Sequence, residues 1–257
     1  MSRRRTFKGP SVRQAKISDL VAQRGAVSVE SLAEKFDTSA ETIRRDLTVL
    51  ADAGQIQKVH GGARPVSSQG EGVFDTRMRR NALAKRLIAE KVATLVAPRQ
   101  SLFLDTGSTT LVCADLLARI KKLTIITNSV RIAATFAKGS GGAEVYLLGG
   151  RYREDNAQTV GTYAANQIKH FRADNAIITI SAIDEKGVTD FSSHEAQIAH
   201  AMIDASANAT IVADHTKFNR AASFNVCSLN RVDVLVSDKA PDTVLGAALK
   251  EADIEVH

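Results

Sequence analysis

The chain has 257 residues, of which 44% are hydrophobic and 24% are charged. This composition supports a sizeable buried core and argues against wholesale disorder. It also argues against a membrane protein, because no apolar run approaches the ~20 residues of a membrane helix. The two cysteines, Cys113 and Cys227, form no CxxC motif, which disfavours a disulfide framework and a zinc cage. We therefore predict a soluble, cytoplasmic protein without a metal or a cofactor.

The net charge of +6 is concentrated at the front of the chain. Residues 1–65 hold 12 Lys and Arg against 7 Asp and Glu, whereas residues 66–257 hold 22 against 21. A basic first segment joined to a near-neutral remainder is typical of a nucleic-acid-binding module attached to a second domain. On charge alone, a solvated basic tail is an equal alternative.

Three short helical patterns lie in this first segment. The first runs over Val12–Arg24, and Ser28 is a suitable N-cap for the second. Either Thr38 or Ser39 can cap the third, in which apolar residues recur at i, i+4 and i+7. The spacing predicts three amphipathic helices that share one core.

A hairpin pattern follows the third helix, with the Gly61-Gly62 pair as its turn. Three helices followed by a hairpin is the order of a winged helix-turn-helix, in which the third helix reads the major groove. A generic three-helix bundle with solvated arginines is the alternative.

With the apolar stripe turned inward, the polar side chains of the third helix face solvent. Arginine can bind guanine edges or phosphate, and threonine can contact either bases or backbone. The candidate DNA-binding residues are Ser39, Glu41, Thr42, Arg44, Arg45 and Thr48 at the third helix, and Lys58, His60 and Arg64 in the hairpin.

The amino-acid sequence of this segment closely resembles the N-terminal motif of the DeoR family of bacterial transcriptional regulators, which includes the glycerol-3-phosphate repressor group. The resemblance is carried by Ser39-Ala-Glu-Thr-Ile-Arg-Arg-Asp-Leu47 and by His60-Gly-Gly-Ala63. It implies that the third helix docks in the major groove of double-stranded operator DNA. Thr38 stands where the family usually has an apolar residue, and Ala40 often is Pro, but neither departure alters a candidate base contact.

Residues 66–75 are small, polar and rich in Gly and Ser, which is typical of a linker. We therefore predict a winged helix-turn-helix domain over 1–65, a linker over 66–75 and an effector-binding domain over 76–257.

The larger domain alternates apolar runs with helical patterns, which predicts a Rossmann-like α/β fold with a mainly parallel sheet. Predicted strands are Ser101–Leu104, Leu123–Thr127, Glu144–Leu148, Ala176–Ser181, Thr210–Ala213 and Val232–Ser237. Predicted helices are Asn81–Leu95, one that ends near Ile120, Val130–Lys138, Tyr163–His170, His194–Ala207 and Thr243–Glu251.

In such a fold, ligands bind beyond the carboxyl ends of the strands. The loop Asp105-Thr-Gly-Ser-Thr-Thr110 follows a strand and opens a helix, so its hydroxyls and the free N–H groups of the helix suit an anion. It lacks the lysine of a Walker loop and the GxGxxG pattern, which disfavours a nucleotide. A turn that merely caps the helix is the alternative.

Polar residues at other strand ends complete a donor and acceptor set for a phosphorylated sugar or polyol. Phosphate binds N–H, hydroxyl and lysine donors, while carboxylates and amides accept hydrogen bonds from sugar hydroxyls. The candidate effector-binding residues are Asp105, Thr106, Gly107, Ser108, Thr109, Thr110, Asn128, Ser129, Gly150, Arg151, Asp184, Glu195 and Lys217.

These loops also resemble the C-terminal effector domain of the DeoR family, so the likeness spans roughly residues 12–240. The resemblance implies a fold similar to that of ribose-5-phosphate isomerase and a role in sensing sugar phosphates. Ser108 stands where Thr is common, which keeps the hydroxyl. The Glu/Lys-rich helix start that is common in the family is replaced by Asn81-Ala-Leu-Ala-Lys85.

The leading hypothesis is a repressor of a carbohydrate or polyol catabolic operon, released from its operator by a phosphorylated metabolite. Binding a repeated operator implies a homodimer or homotetramer. The alternative is a phosphosugar isomerase with Asp184 or Glu195 as the general base, although catalysis does not require a basic head. A nonspecific DNA-packaging protein is disfavoured because most of the chain forms a near-neutral domain.

Overall fold

A computed structural model of the protein describes residues 10–24, 27–52, 56–59, 61–65 and 74–257. The chain divides into two compact units, residues 1–72 and 73–257, and each has its own hydrophobic core. Most of the predicted linker lies outside the described residues, so the predicted domain boundaries stay predictions.

Within its described residues, the N-terminal unit has three helices and a three-stranded antiparallel sheet in the order β1-β3-β2. The elements are α1 (Pro10–Arg24), β1 (Val27–Ser28), α2 (Val29–Phe36), α3 (Ala40–Asp52), β2 (Ile56–Val59) and β3 (Gly62–Pro65). The winged helix-turn-helix prediction is confirmed. The two-residue strand β1 is an addition that is too short for a periodic pattern to reveal.

Hydroxyl caps fix where the second and third helices begin. The Ser28 Oγ accepts a hydrogen bond from the Ser31 N–H at 3.1 Å, which confirms the predicted cap. At α3 the Ser39 Oγ accepts from the Thr42 N–H at 3.2 Å, whereas the Thr38 N–H bonds back to α2. Of the two alternatives for α3, Ser39 is therefore the cap.

The predicted hairpin is also confirmed, although Gly62 is not a turn residue but the first residue of β3, where it pairs with Val59 of β2. Gly61 has a φ of +76°, a conformation that glycine adopts without strain. Gly62 meets a different demand: a Cβ there would lie 2.1 Å from the Val27 carbonyl oxygen of β1. The third strand of the wing sheet therefore requires this glycine.

One charged residue of α3 points inward. Asp46 is 4% exposed and lies on the same helix face as the buried Ile43 and Leu47. Its carboxylate accepts hydrogen bonds from the Arg13 Nε at 2.5 Å and from the Gln14 Nε2 at 2.9 Å. Asp46 thus ties α3 to α1, and its charge is compensated inside the core.

Residues 74–257 fold around a seven-stranded parallel sheet covered by helices. The helices are α4 (Phe74–Arg79), α5 (Ala82–Leu95), α6 (Ser108–Leu117), α7 (Val130–Lys138), α8 (Thr162–Ile168), α9 (Ser193–Asp204) and α10 (Thr243–Glu251). The strands of the main sheet are β4 (Ser101–Leu104), β5 (Thr124–Thr127), β6 (Glu144–Leu147), β9 (Ala173–Thr179), β12 (Ser206–Val212), β14 (Val234–Val236) and β15 (Glu255–Val256).

The order of this sheet is β15-β14-β12-β9-β4-β5-β6. From β4 the chain adds β5 and β6 on one side, and then crosses to β9 and continues with β12, β14 and β15 on the other. The strand order therefore reverses between β4 and β9. In parallel α/β sheets such a reversal opens a ligand site at the carboxyl ends of the strands.

Two small antiparallel sheets, which the sequence patterns did not predict, flank this edge. One is the hairpin of β7 (Arg151–Arg153) and β8 (Gln158–Val160). The other contains β10 (Ala182–Asp184), β11 (Gly187–Asp190) and β13 (Phe224–Cys227).

The predicted strands and helices of the larger unit are confirmed, and most of their ends shift by only one or two residues. The helix predicted over His194–Ala207 is the main correction, because it ends at Asp204 and Ser206 already begins β12. Ser206 pairs with Ala173 of β9, so strand pairing overrides the helical pattern there.

Asp46→Ala should destabilise the N-terminal unit by about 2–4 kcal/mol, because it leaves the largely buried Arg13 guanidinium without its carboxylate. Urea unfolding followed by circular dichroism measures this change. Asp52→Ala, at the exposed end of α3, is the matched control and should change stability by less than about 0.5 kcal/mol. Equal effects of the two substitutions would contradict a structural role for Asp46.

Candidate nucleic-acid interface and effector site

The exposed side of α3 carries a cationic surface. We call Glu41, Arg44, Arg45, Thr48 and Lys58 the reader face. The side chains of Arg44 and Arg45 are 56% and 80% exposed, so both can reach a ligand without rearranging the core. Their placement on the outer side of a helix capped by Ser39 suits entry into a major groove.

Glu41 pairs with both arginines of the reader face. Its carboxylate oxygens lie 3.8 Å from the Arg44 Nη1 and 3.4 Å from the Arg45 Nε. Exposed pairs of this kind contribute little stability, so a phosphate or a guanine edge can replace the carboxylate at small cost. The pairing with Glu41 therefore leaves both arginines available to a ligand.

The wing joins the reader face through one hydrogen bond. The Lys58 Nζ of β2 donates to the Thr48 Oγ1 at 2.9 Å, while the Thr48 hydroxyl donates to the Arg44 carbonyl at 2.8 Å. The wing lysine thus lies against the helix rather than apart from it.

The remaining predicted DNA contacts have more limited support. The hydroxyls of Ser39 and Thr42 lie 2.9 Å apart and take part in capping α3. Arg64 lies in β3 opposite Gln57, and only its backbone position is described. His60 lies outside the described residues.

The loop of residues 105–110 lies at the reversal of the main sheet. The Asp105 Oδ1, directly after β4, accepts a hydrogen bond at 3.1 Å from the N–H of Thr179, the last residue of β9. A Cβ at Gly107 would lie 2.2 Å from the Thr179 Cγ2. The glycine is therefore required by packing between the two strand ends, whereas the sequence suggested a close approach to a ligand. We call this region the switch-point site.

Asp105 is fully buried, and burial raises the pKa of its carboxyl well above the ordinary value. The negative charges of Glu195 and Asp190 raise this pKa further, while the hydrogen bond from the Thr179 N–H lowers it. Three carboxyl groups therefore meet at the switch-point site. Proton uptake by Asp105 reduces the repulsion among them.

The hydroxyls of the loop divide into two groups. The Thr110 Oγ1 donates to the carbonyls of Asp105 and Gly107, so this predicted effector contact stabilises the loop itself. The side chains of Ser108 and Thr109 are buried, yet neither hydroxyl bonds to another residue in the described part of the chain. They begin α6, whose first N–H groups have no partner within the helix.

A second set of polar groups follows β5. The Asn128 Oδ1 accepts from the Thr106 hydroxyl at 3.1 Å, and its Nδ2 donates to the Gln158 Oε1 at 3.3 Å and to the Thr159 carbonyl at 3.0 Å. Asn128 therefore connects the switch-point loop to the β7–β8 hairpin. Ser129 instead caps α7 by accepting from the Ile132 N–H.

Glu195 enters the site from the first turn of α9. Its Oε1 accepts from the Gln158 Nε2 at 2.7 Å and from the Asn156 Nδ2 at 2.8 Å. The Asn156 Oδ1 in turn accepts from the Arg77 Nη2 of α4 at 2.6 Å. The predicted acceptor Glu195 is thus the centre of a network of amide side chains.

Three further candidates lie at the margin of the site. Gly150 and Arg151 are exposed on the hairpin side, where the Arg151 Nη2 lies 3.2 Å from the His194 Nε2, next to Glu195. Lys217 is half-buried in the short 3₁₀ turn that follows β12. The edge of the sheet therefore carries cationic groups close to the carboxylates.

The structure corrects the position of Asp184 in the fold, while its role as an effector contact stays a prediction. The sequence places it at a strand end of the main sheet, but it lies in β10 of the small antiparallel sheet. Its Oδ1 accepts from the N–H groups of Lys186 and Gly187 at 2.9 and 3.2 Å, which closes the turn into β11. The geometry accounts for Asp184 as a turn residue.

The sequence patterns did not identify Asp190, an acidic residue whose charge acts on Asp105 in the switch-point site. Asp190 is 6% exposed and accepts from the Ser181 hydroxyl at 3.0 Å and from the Ser192 N–H at 2.8 Å. Its position, directly after the short apolar run of β11 and just before the cap of α9, was an available signal. Asn156 and Gln158 gave no such signal, because they lie in a hairpin outside the main sheet.

Cys113 is buried and Cys227 is half-buried, and both are free thiols. Burial, with a smaller contribution from the charge of Asp105, raises the pKa of the Cys113 thiol to about 12. Burial likewise raises the pKa of Cys227 to about 11. Both thiols therefore stay protonated and weakly nucleophilic near neutral pH.

Two features are absent from the described residues. Among them, no group of three or more His, Cys, Asp or Glu side chains is arranged to hold a metal ion. None of the described helices is long and apolar enough to cross a membrane.

Comparison with known proteins matches the two units separately. Residues 13–69 match the DeoR-like helix-turn-helix domain, and residues 80–239 match the DeoR C terminal sensor domain. The chain is 37% identical over 236 residues to the glycerol-3-phosphate regulon repressor of Haemophilus influenzae, a match that covers 91% of this chain and 92% of the relative. The Escherichia coli protein of the same name is 34% identical over 242 residues, which is 94% of this chain and 96% of the relative.

Among solved structures, ribose 5-phosphate isomerase A of Methanocaldococcus jannaschii is 14% identical, with a TM-score of 0.40 over 54% of this chain and 55% of that one. The two family matches together include the residues of the reader face and of the switch-point site. The chain therefore belongs to the DeoR family of DNA-binding transcriptional repressors.

Proposed function

We propose that this protein represses an operon of carbohydrate or polyol use and leaves its operator when a phosphorylated sugar or polyol binds at the switch-point site. The observation that carries the proposal is the pair of buried hydroxyls of Ser108 and Thr109 beside the raised-pKa carboxyl of Asp105. Burial disfavours the charged form of Asp105, which reduces the repulsion that an anion meets at these donors.

The chemistry of the site divides the effector into two halves. The hydroxyls of Ser108 and Thr109 and the first N–H groups of α6 suit a phosphate, with Lys217 as the cation of the same sheet edge. Glu195 and Asn128 suit the hydroxyls of the carbon chain. Glycerol 3-phosphate has both a phosphate and hydroxyls. The names of two relatives, both glycerol-3-phosphate regulon repressors, also favour this compound.

The reader face provides the other half of the proposal. Arg44, Arg45 and Lys58 bind the operator, and a homodimer or homotetramer places two or more such faces on a repeated site. The effector lowers operator affinity by its differential affinity for the two states, typically about 1–3 kcal/mol.

Two measurements test this function. Thermal shifts with glycerol 3-phosphate, ribose 5-phosphate, inorganic phosphate and unphosphorylated glycerol should show stabilisation only by phosphorylated polyols. Fluorescence anisotropy with DNA from upstream of its own gene should show tight binding that these compounds weaken and that random DNA does not reproduce. Aldose–ketose interconversion seen by NMR at enzyme-like rates would instead favour the isomerase alternative.

Arg45→Ala should weaken operator binding by about tenfold, or 1–2 kcal/mol, because it removes an exposed arginine from the reader face. The thermal shift by the effector should not change. Arg86→Ala is a matched control, since Arg86 is an exposed arginine paired with Glu90 at i+4, as Arg45 is with Glu41 at i−4. An operator affinity equal to that of the control would remove Arg45 from the interface.

Thr109→Asp should abolish the thermal shift by glycerol 3-phosphate, because it places a negative charge where the phosphate binds. Thr109→Val keeps the shape without the hydroxyl and should weaken binding by about 0.5–1.5 kcal/mol. Thr94→Asp, on the exposed surface of α5, is the charge control. An undiminished shift in Thr109→Asp would assign the anion to another surface, such as the groove of about 760 Å³ between α9 and β13.

Asp105→Asn should raise the thermal midpoint of the effector-free protein at neutral pH. Since the folded-state pKa of Asp105 is raised, its contribution to stability is fully present below the unfolded pKa, near 3.9. It is lost as the pH rises through the folded pKa. Asn keeps an acceptor for the Thr179 N–H and has no proton to lose, so the advantage of the variant should shrink towards acid pH.

Asp174→Asn is the control of opposite sign for this experiment. Hydrogen bonds from the N–H and hydroxyl of Ser101 lower the pKa of Asp174, so its carboxylate stabilises the fold above its unfolded pKa. The control should lower the midpoint at neutral pH. A midpoint of Asp105→Asn that falls in parallel with the control would contradict the burial cost of Asp105.

A further inference from the structure

A continuous chain of hydrogen bonds leads from the switch-point loop to α4. It runs from Thr106 through Asn128, Gln158, Glu195 and Asn156 to Arg77, and its donor–acceptor distances lie between 2.6 and 3.3 Å. Each of these residues comes from a different loop, strand or helix, apart from Gln158 and Asn156, which share one hairpin. The chain thus connects the proposed effector site to an element that no predicted effector contact includes.

The orientation of Asn156 couples the two ends of this chain. Its Oδ1 faces the Arg77 guanidinium at 2.6 Å, and its Nδ2 faces the Glu195 carboxylate at 2.8 Å. A flipped amide would turn its NH₂ towards a cation and its oxygen towards an anion, which is unfavourable at both ends. The amide therefore occupies one orientation only while Glu195 accepts from it.

Glu195 is the member of the chain that an effector can compete for. Its Oε1 accepts hydrogen bonds from the side-chain amides of both Gln158 and Asn156. A hydroxyl of a bound polyol that donates to this oxygen takes the place of one amide. Asn156, half-buried in the turn between β7 and β8, is the more accessible of the two amides, because Gln158 is 1% exposed within β8.

The other end of this chain of hydrogen bonds is the short helix α4, which polar and aromatic contacts hold in place. Arg77 is 8% exposed, and its guanidinium and that of Arg131 lie 5.2 and 4.4 Å from the centre of the Phe74 ring. Lys85 donates to the carbonyls of Arg77 and Arg80 at the end of the helix. Helix α4 has six residues, and the charge-assisted hydrogen bond from Arg77 to Asn156 holds it together with the buried Phe74 and the Asp75–Arg131 ion pair.

Helix α4 is also the first described element after residues 66–73, through which the chain runs from the winged helix to the sensor unit. Helix α4 is therefore the part of the described sensor unit that is nearest in sequence to the segment leading to the reader face. The described structure places this helix one amide away from Glu195.

We propose that Asn156 and Arg77 transmit effector binding from Glu195 to α4, and that replacement of the Asn156 amide by an effector hydroxyl releases α4 and so weakens operator binding. This inference rests on the proposed function for the identity of the ligand, but not for the tie between Asn156 and α4. Asn156 and Arg77 are positioning residues, since neither needs to contact the effector.

The test compares Asn156→Ala, Arg77→Met and the double variant with wild type, with Asn166→Ala on the exposed surface of α8 as the control. Operator affinity is measured by anisotropy with and without glycerol 3-phosphate, and effector binding by thermal shift. In wild type the effector should lower operator affinity by about 5–150-fold. In each single variant this factor should fall below about twofold while the thermal shift persists. The double variant should lose no more coupling than either single variant, because the two residues act in series.

Hydrogen exchange of residues 74–79 provides a readout that needs no effector. In Asn156→Ala these amides should exchange faster than in wild type, and glycerol 3-phosphate should accelerate them in wild type alone. Exchange and coupling at wild-type levels in Asn156→Ala would overturn the proposal, and this variant keeps the test decisive if Arg77→Met does not fold. If no phosphorylated polyol shifts the wild-type midpoint, the proposed function fails, and the exchange of Asn156→Ala alone decides whether the amide holds α4.

Discussion

The hydrogen bond from the Thr179 N–H to the Asp105 carboxylate joins the two strands at which the order of the main sheet reverses. It places a fully buried carboxyl at the position where a parallel sheet opens to a ligand. Two further carboxylates approach it, and each is supplied with donors of its own. The Ser181 hydroxyl and the Ser192 N–H donate to Asp190, and two side-chain amides donate to Glu195. The carboxylates of the site are therefore satisfied by its own hydrogen bonds, and a ligand that reaches them must offer replacements for these bonds. This requirement selects molecules with several hydroxyls.

The periodicity of the sequence was sufficient for the elements that bury a continuous apolar face. The helices α3 and α7 and the strands β4, β5 and β9 follow such patterns. Where an element is short or lies at an edge, its pattern is set by its partner. The two-residue strand β1 exists because Gly62 lets β3 approach it, and Ser206 is a strand residue because Ala173 is its neighbour. Neither relationship is visible locally.

The site divides in the same way. The loop of residues 105–110 and Asn128 were predicted because the carboxyl ends of parallel strands meet at one edge. Asp184 was misplaced, since an apolar run that precedes an acidic residue does not reveal that the strand has left the main sheet. Asn156 and Gln158 enter the site from a separate hairpin, so only tertiary structure brings them to Glu195. In helix α3 of the N-terminal unit, successive residues are rotated by about 100° around the helix axis, so three adjacent charged side chains point in different directions. Arg44 and Arg45 face solvent, while Asp46 enters the core.

The relay through Asn156 also constrains the sensitivity of the sensor. The Asn156 amide, which donates to Glu195, is the group that an effector hydroxyl must displace. Stronger amide binding therefore holds α4 more firmly and weakens the effector, because a ligand shifts an equilibrium only by its differential affinity for the two states. Linkage makes the relation reciprocal: an operator that favours the amide-bound state lowers effector affinity by the same factor. The concentration range over which such a sensor responds to its metabolite therefore depends on operator occupancy. It also depends on the strength of the hydrogen bond from Asn156 to Glu195.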